Sequence, residues 1–202
     1  MIDSGKFPEN FARQAERVRH PKVQLQIAAP VWGNLAEARR RAYALGDHPF
    51  VSWIDDDDEV LDMAWVDRAL QILRDDPEVS AVYPRWCSTG AHERETPDRP
   101  WALMESHVYL WPHAHHLTIM RRCHVGEFFD DVGARPLLRD QDILLVASMA
   151  RHGRLVALPD MAYRWNLRDG TPRSHCEPPE LNAWGVEHWQ DTVRAHRQRV
   201  GA

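Results

Sequence analysis

The sequence predicts an α/β fold: a mostly parallel sheet flanked by helices. Two observations carry this. Short apolar strand patterns alternate along the chain with amphipathic helical ones. One strand pattern also runs without a break into five consecutive acids, Asp55-Asp56-Asp57-Asp58-Glu59, as a strand does when it ends at a ligand site.

The elements follow in order. Val23-Gln24-Leu25-Gln26-Ile27 alternates apolar and polar residues, the pattern of a half-buried strand. Asn34 is then a good helix N-cap, and Glu37 completes a capping-box spacing. Leu35, Ala38, Ala42 and Leu45 form an apolar stripe, and Gly46 stops the helix. Phe50-Val51-Ser52-Trp53-Ile54 reads as a short buried strand. Asp62 is placed to cap a helix that turns Val66, Ala69, Leu70 and Leu73 inward and ends at Pro77. Residues 79–83 read as the next strand. Residues 84–116 are broken by Pro84, Pro97, Pro100 and Pro112 and carry Trp86, Trp101 and Trp111, as a functional loop region would. Residues 117–120 are expected to return to the sheet, 140–152 to form a helix closed by Gly153, and 155–158 to form a strand. A helix from Trp184 to Val200 is expected at the tail.

Composition narrows the function. The 202 residues suit a single domain, residues 1–202, with enough chain to bury a core; apolar residues make up 44% and charged residues 27%, ordinary globular values. The net charge of −5 exerts no overall pull on nucleic acid or anionic membrane. Cys87, Cys123 and Cys176 are too few and too scattered for a disulfide framework. No apolar run approaches a membrane span and no secretory leader pattern opens the chain, so a cytoplasmic protein without membrane insertion is expected. His113, His115, His116, Cys123 and His124 lack the paired spacing of a structural zinc site and are read as loop residues.

The acidic run is the strongest chemical signal. Its mutual repulsion is costly unless solvent or a cation relieves it. In an extended segment Asp55 and Asp57 project to one side, and two carboxylates so placed suit Mg²⁺ or Mn²⁺, which prefer hard oxygen ligands. The competing reading is a solvated acidic turn leading into the next helix.

The surrounding residues add a resemblance. Ala38-Arg39, a helix, then Phe50-Val51-Ser52-Trp53-Ile54-Asp55-Asp56-Asp57-Asp58 resembles the inverting family 2 glycosyltransferases of GT-A fold, with Arg40 where that family has asparagine. Ile2-Asp3-Ser4-Gly5 resembles the family's strand end that carries a nucleotide-contacting aspartate. Gln141-Asp142, followed by a helix and Gly153, resembles its Glu-Asp acceptor motif, and Pro159 with Tyr163-Arg164-Trp165 the segment after it. The match covers roughly residues 2–175. Matching Asp3 in this way leaves the family's first strand and following helix without a counterpart, as in a chain trimmed at its N-terminus. Either the enzyme is trimmed there and its nucleotide-base pocket rebuilt, or residues 7–20 fill that role and the register is different.

The resemblance implies a metal-dependent transfer of a sugar from a nucleotide-sugar donor to an acceptor. It implies Asp57 and Asp55 as ligands of Mn²⁺ or Mg²⁺, with Asp55 alternatively on the donor ribose and His175 reaching back to the metal. It implies Asp3, Arg39, Asp56 and Asp58 as donor-binding residues and Asp142, with Asp140 as neighbour, as the catalytic base. Residues 1–83 would then form the donor and metal half, and residues 84–202 the acceptor half with Trp101 and Trp111. The acceptor is expected to be a glycan or small molecule, with a hydroxylated base in DNA as the alternative. Two other functions fit parts of the sequence: a nucleotidyltransferase on a related fold, which would want a glycine-rich phosphate loop, and a non-catalytic nucleotide-sugar-binding module.

Overall fold

The computed structural model describes residues 8–29, 31, 34–89, 117–135, 144–145, 148–166 and 179–201. In chain order these form α1 (Pro8–Arg17), α2 (Leu35–Ala44), β1 (Phe50–Val51), β2 (Glu59–Val60), α3 (Trp65–Asp75), β3 (Val79–Thr89), β4 (Ile119–Arg121), α4 (Arg122–Val132), β5 (Arg154–Asn166) and α5 (Pro179–Val200). Leu144, Leu145, Ser148 and Met149 are also helical.

The five strands form one sheet in the order β1-β4-β3-β5-β2. It is mixed, which corrects the expectation of a mostly parallel sheet: only β3 and β5 pair in parallel, while β1/β4, β3/β4 and β2/β5 are antiparallel. The reason is topological. β4 is inserted between β1 and β3 and runs against both, so β1, β3 and β5 still share one direction, with the end of β1 level with the first residues of β3.

Helices cover both faces. On one side α1 and α3 pack Val18, Trp65, Val66, Ala69, Leu70 and Leu73 against Val79, Val82 and Ile119. On the other, Val125, Phe128, Phe129 and Val132 of α4 pack with Leu144, Leu145 and Met149 against Ala81, Tyr83 and Met120. β3 therefore reads as a continuous apolar run, buried from Val79 through Pro84, because both its faces meet helices.

Arginines reach carbonyls at the carboxyl ends of three of these helices, two of which also accept from cap amides. Arg121 donates to Leu73 O (2.6 Å), Asp76 O (2.9 Å) and Val79 O (2.7 Å) at the end of α3. Arg40 donates to Phe129 O (3.2 Å) and to Gly133 O at the end of α4. Arg122 donates to Tyr43 O at the end of α2 and stacks on the Tyr43 ring.

Several local expectations hold. Asn34 caps α2, its side chain accepting from Glu37 N at 3.0 Å. Its partner Glu37 turns instead to Arg40 and Arg41, so the reciprocal half of the capping box gives way to ion pairs. α3 buries the four predicted residues plus Trp65, although Ala64 is its N-cap and Asp62 only accepts from Ala64 N in the turn before it. The expected tail helix is present as α5, with Val193 buried on it. Other expectations need correction. Residues 23–27 form no ladder, and Val23 and Ile27 are exposed. β1 stops after Val51. Leu45 is 52% exposed, while Ala36 and Arg39 take the inward face of α2. β3 continues through Pro84 to Thr89, and β5 through Pro159 to Asn166.

Candidate functional site

Beyond β1 the chain continues toward the carboxyl ends of β3 and β5, and it is there that the acidic run lies. Asp55 is a bridge residue. Asp58 N then donates to Asp55 O at 3.4 Å, closing a turn that leads into β2. The turn preserves the alternation expected of a strand: Asp55 and Asp57 are partly exposed, Asp56 and Asp58 buried. A simple solvated turn is thereby excluded, since two of its four carboxylates face inward.

Asp58 is the anchor. At 1% exposure it accepts from Tyr163 Oη (2.6 Å) and from Asn166 N (3.0 Å), both at the end of β5. Burial, then the charges of Asp57 and Asp55, push its carboxyl well above the usual range, while the two donors oppose that. Burial and the facing Asp58 likewise raise the Tyr163 hydroxyl. Asn166 also donates through Nδ2 to Asp57 O (2.9 Å) and accepts from Thr89 Oγ1 (3.2 Å), which ties the ends of β3 and β5 to the turn. Glu59 meets Arg164 Nη1 at 2.5 Å and also Arg17. Burial alone would raise the Glu59 carboxyl, but the bonds and charges of these two arginines together hold it below its ordinary value.

Arg39, 3% exposed at the start of α2, reaches Asp55 Oδ1 at 3.3 Å. The structure thus brings together Arg39, Asp55, Asp56, Asp57 and Asp58 from the predicted set. Asp3, Trp101, Trp111, Asp140, Asp142 and His175 lie outside the described residues.

Does a divalent cation fit? Asp55 and Asp57 present hard oxygen donors on the open side of the turn, next to a buried carboxyl that their charge already disfavours. They are a partial shell: among the described residues no group of three or more His, Cys, Asp or Glu side chains is placed to hold a metal. The set suits a cation whose remaining ligands are phosphate oxygens and water, the usual mode of Mg²⁺.

The remaining candidates are structural. Trp86 is buried and meets Trp165 edge to face at 6.3 Å. His124 stacks on His152 at 4.2 Å, and burial, then the neighbouring His152, lowers it to about 4. A cavity of about 180 Å³ lies beside β1, lined by Leu25, Phe50, Trp53, Ile54 and Trp65 among others. Among the described residues no carboxylate lines it. Among the described residues no helix is long and apolar enough to cross a membrane.

The sequence reading missed the partners that hold the turn. Tyr163 and Asn166 are more than 100 residues from Asp58; Tyr163 entered only through the resemblance of its segment, and neither was linked to the acidic run. α1 did carry a signal: Phe11, Ala15 and Val18 repeat at i, i+4, i+7 and pack into the core.

No family model and no curated protein matches the chain. Solved structures do. TarS from S. aureus superposes with a TM-score of 0.58 at 15% identity over 83% of this chain and 35% of that one. Its 1–349 form gives 0.57 at 12% identity over 98% and 70%, and the same form in complex with UDP-GlcNAc gives 0.56 at 14% over 94% and 61%. The chain thus spans about a third of the first of these structures. At such identities the likeness shows the fold alone: the chain shares the fold of these TarS structures.

Proposed function

We propose that this chain is a metal-dependent, inverting glycosyltransferase that moves a sugar from a nucleotide-sugar to an acceptor hydroxyl. One observation carries the reading: Asp55 and Asp57 stand partly exposed on a braced turn beside the carboxyl ends of β3 and β5, with Arg39 bonded to Asp55. The fold shared with a protein solved with UDP-GlcNAc supports it.

Asp57 is the principal ligand for Mn²⁺ or Mg²⁺. Asp55, held by Arg39, shares the metal or receives the donor ribose. Asp58 faces inward and fixes the turn instead of touching the donor. When bound, a divalent cation supplies electrostatic stabilisation of the negative charge on the leaving nucleoside diphosphate. Asp142 is assigned as the base: it takes the proton of the acceptor hydroxyl as that oxygen attacks the anomeric carbon opposite the leaving group, which inverts the configuration. His175 and Asp3 complete the proposed metal and donor contacts, and Trp101 and Trp111 the acceptor side. A glycan or small molecule is the proposed acceptor.

Release of nucleoside diphosphate from a panel of nucleotide sugars tests this. Activity should vanish in excess EDTA and return with Mn²⁺ or Mg²⁺. Asp57→Asn should be inactive and unable to bind Mn²⁺, yet its stability should stay within about 0.5 kcal/mol, as expected of a partly exposed carboxylate. Full activity in excess chelator would refute the metal assignment, and donor binding without turnover would indicate a binding module.

A further inference from the structure

The acidic turn is gripped through its backbone from the side opposite β5, and the grip comes from α1. Asn10 Nδ2 donates to both Asp56 O (2.6 Å) and Asp58 O (3.0 Å). One turn further along α1, Gln14, fully buried, accepts from Val60 N at 2.7 Å. Arg17 then bonds Val60 O (3.1 Å) and Glu59. These residues stand at i, i+4 and i+7, so they form a single stripe on the helix. The stripe is polar and meets the acidic turn, with Gln14 buried, Asn10 half-buried and Arg17 exposed, and it lies one residue out of phase with the apolar stripe of Phe11, Ala15 and Val18 that packs on the core.

A helix that only covered the sheet would need the apolar stripe alone. A buried glutamine costs free energy unless it is bonded, so a polar stripe whose bonds go to a neighbouring backbone has a specific geometric consequence. Apart from Arg13 Nη2, which donates to Asn10 Oδ1 at 2.6 Å, the side-chain bonds of Asn10, Gln14 and Arg17 named here fall on residues 56–60, the segment that carries Asp57. Asn166 holds the carbonyl of Asp57 from β5, while Asn10 holds the carbonyls on either side of it.

We propose that Asn10 and Gln14 are positioning residues for the donor site: α1 pre-sets the backbone of the acidic turn so that Asp55 and Asp57 present their carboxylates to one cation. The proposal rests on the glycosyltransferase reading above for the identity of the cation, but not for the grip itself. Partners that orient a metal-binding group typically change affinity about 10–100-fold when removed. Asn10 should lie in that range, because its one amide serves two carbonyls of the turn.

The test uses the full chain and two readouts that need no turnover: Mn²⁺ affinity from the electron paramagnetic resonance signal of the free ion, and hydrogen exchange at the Asp58 and Val60 amides. Asn10→Ala should weaken Mn²⁺ binding about ten-fold or more and speed exchange at Asp58 by a similar factor. Gln14→Ala should speed exchange at Val60 most, since that amide loses its acceptor. Glu16→Ala, on the exposed side of the same helix, should change neither readout. Urea denaturation identifies any variant that has unfolded globally, and Asn10→Ser, which keeps a shorter donor, should recover part of the loss. Mn²⁺ affinity within two-fold of wild type in Asn10→Ala, together with unchanged exchange at Asp58, would overturn the proposal. If the wild-type protein binds no Mn²⁺, the metal reading fails. The exchange measurement then decides the grip by itself: faster exchange in Asn10→Ala upholds it and unchanged exchange overturns it.

Discussion

Replacing Tyr163 by phenylalanine tests whether Asp58 anchors the acidic turn. Tyr163 is fully buried, and its hydroxyl donates to Asp58 Oδ2 at 2.6 Å, with Asp58 itself 1% exposed. Phenylalanine keeps the ring, so no cavity opens, and the change isolates one hydrogen bond. A bond to a charged acceptor contributes about 1.5–3 kcal/mol and a neutral one about 1 kcal/mol, so the loss should depend on how far Asp58 is ionised. The hydroxyl is one of the groups that pull the Asp58 carboxyl down against burial and its acidic neighbours. Without it the folded-state value climbs further. A carboxyl raised in the folded state retains a proton that the unfolded chain releases, and stability falls as pH rises through that interval. The penalty of Tyr163→Phe should therefore be larger at pH 8 than at pH 5. Urea denaturation at both pH values, with an unchanged slope, measures it. A double-mutant cycle with Asp58→Asn should return a coupling of about 1 kcal/mol or more. A loss below about 0.5 kcal/mol at pH 8, or a larger loss at pH 5, would refute the anchoring argument.

Other outcomes follow from the same reasoning. Asp142→Asn should lower turnover by about 10²–10⁴-fold with Mn²⁺ binding preserved, and Asp140→Asn should be milder, as single-turnover kinetics with donor and acceptor would show. Gly153→Ala should destabilise by about 1–3 kcal/mol in thermal or urea unfolding, because its Cβ would stand 2.4 Å from the backbone oxygen of Glu78. His124 and His152 are both held below their ordinary values, His124 at about 4, so the folded state binds fewer protons than the unfolded chain. Stability should be full above about pH 6.5 and fall as pH drops toward 4, by on the order of 1–2 kcal/mol after solvent screening, with a shallower profile in His124→Gln.

Some of this protein was legible in its residues alone. The cap at Asn34, the apolar spacing of α3 and the stop at Pro77 are local: each depends on residues within a turn or two of one another, and the structure keeps them. The acidic run marked the candidate site, and the inner-outer alternation of its aspartates survived although the backbone turns there instead of extending. The Val125, Phe128, Phe129 and Val132 stripe of α4 was equally readable and passed unread.

Only the tertiary structure decided the rest. Periodicity reports which faces are apolar, but not which strand pairs with which, so the insertion of β4 between β1 and β3, and hence the mixed sheet, depended on pairings between distant residues. The surroundings of the four aspartates depended on the fold in the same way, although the resemblance had assigned Asp55 and Asp57 to the metal and Asp56 and Asp58 to the donor. In sequence they are equivalent carboxylates; in the fold Tyr163 and Asn166 turn Asp58 inward, Arg39 meets Asp55, and Asp57 is left partly open at the rim. Asn10, Gln14 and Arg17 show the limit most clearly. A polar stripe on a helix looks like a solvated face, and it becomes a grip on the acidic turn only when another stretch of backbone offers carbonyls and an amide at bonding distance.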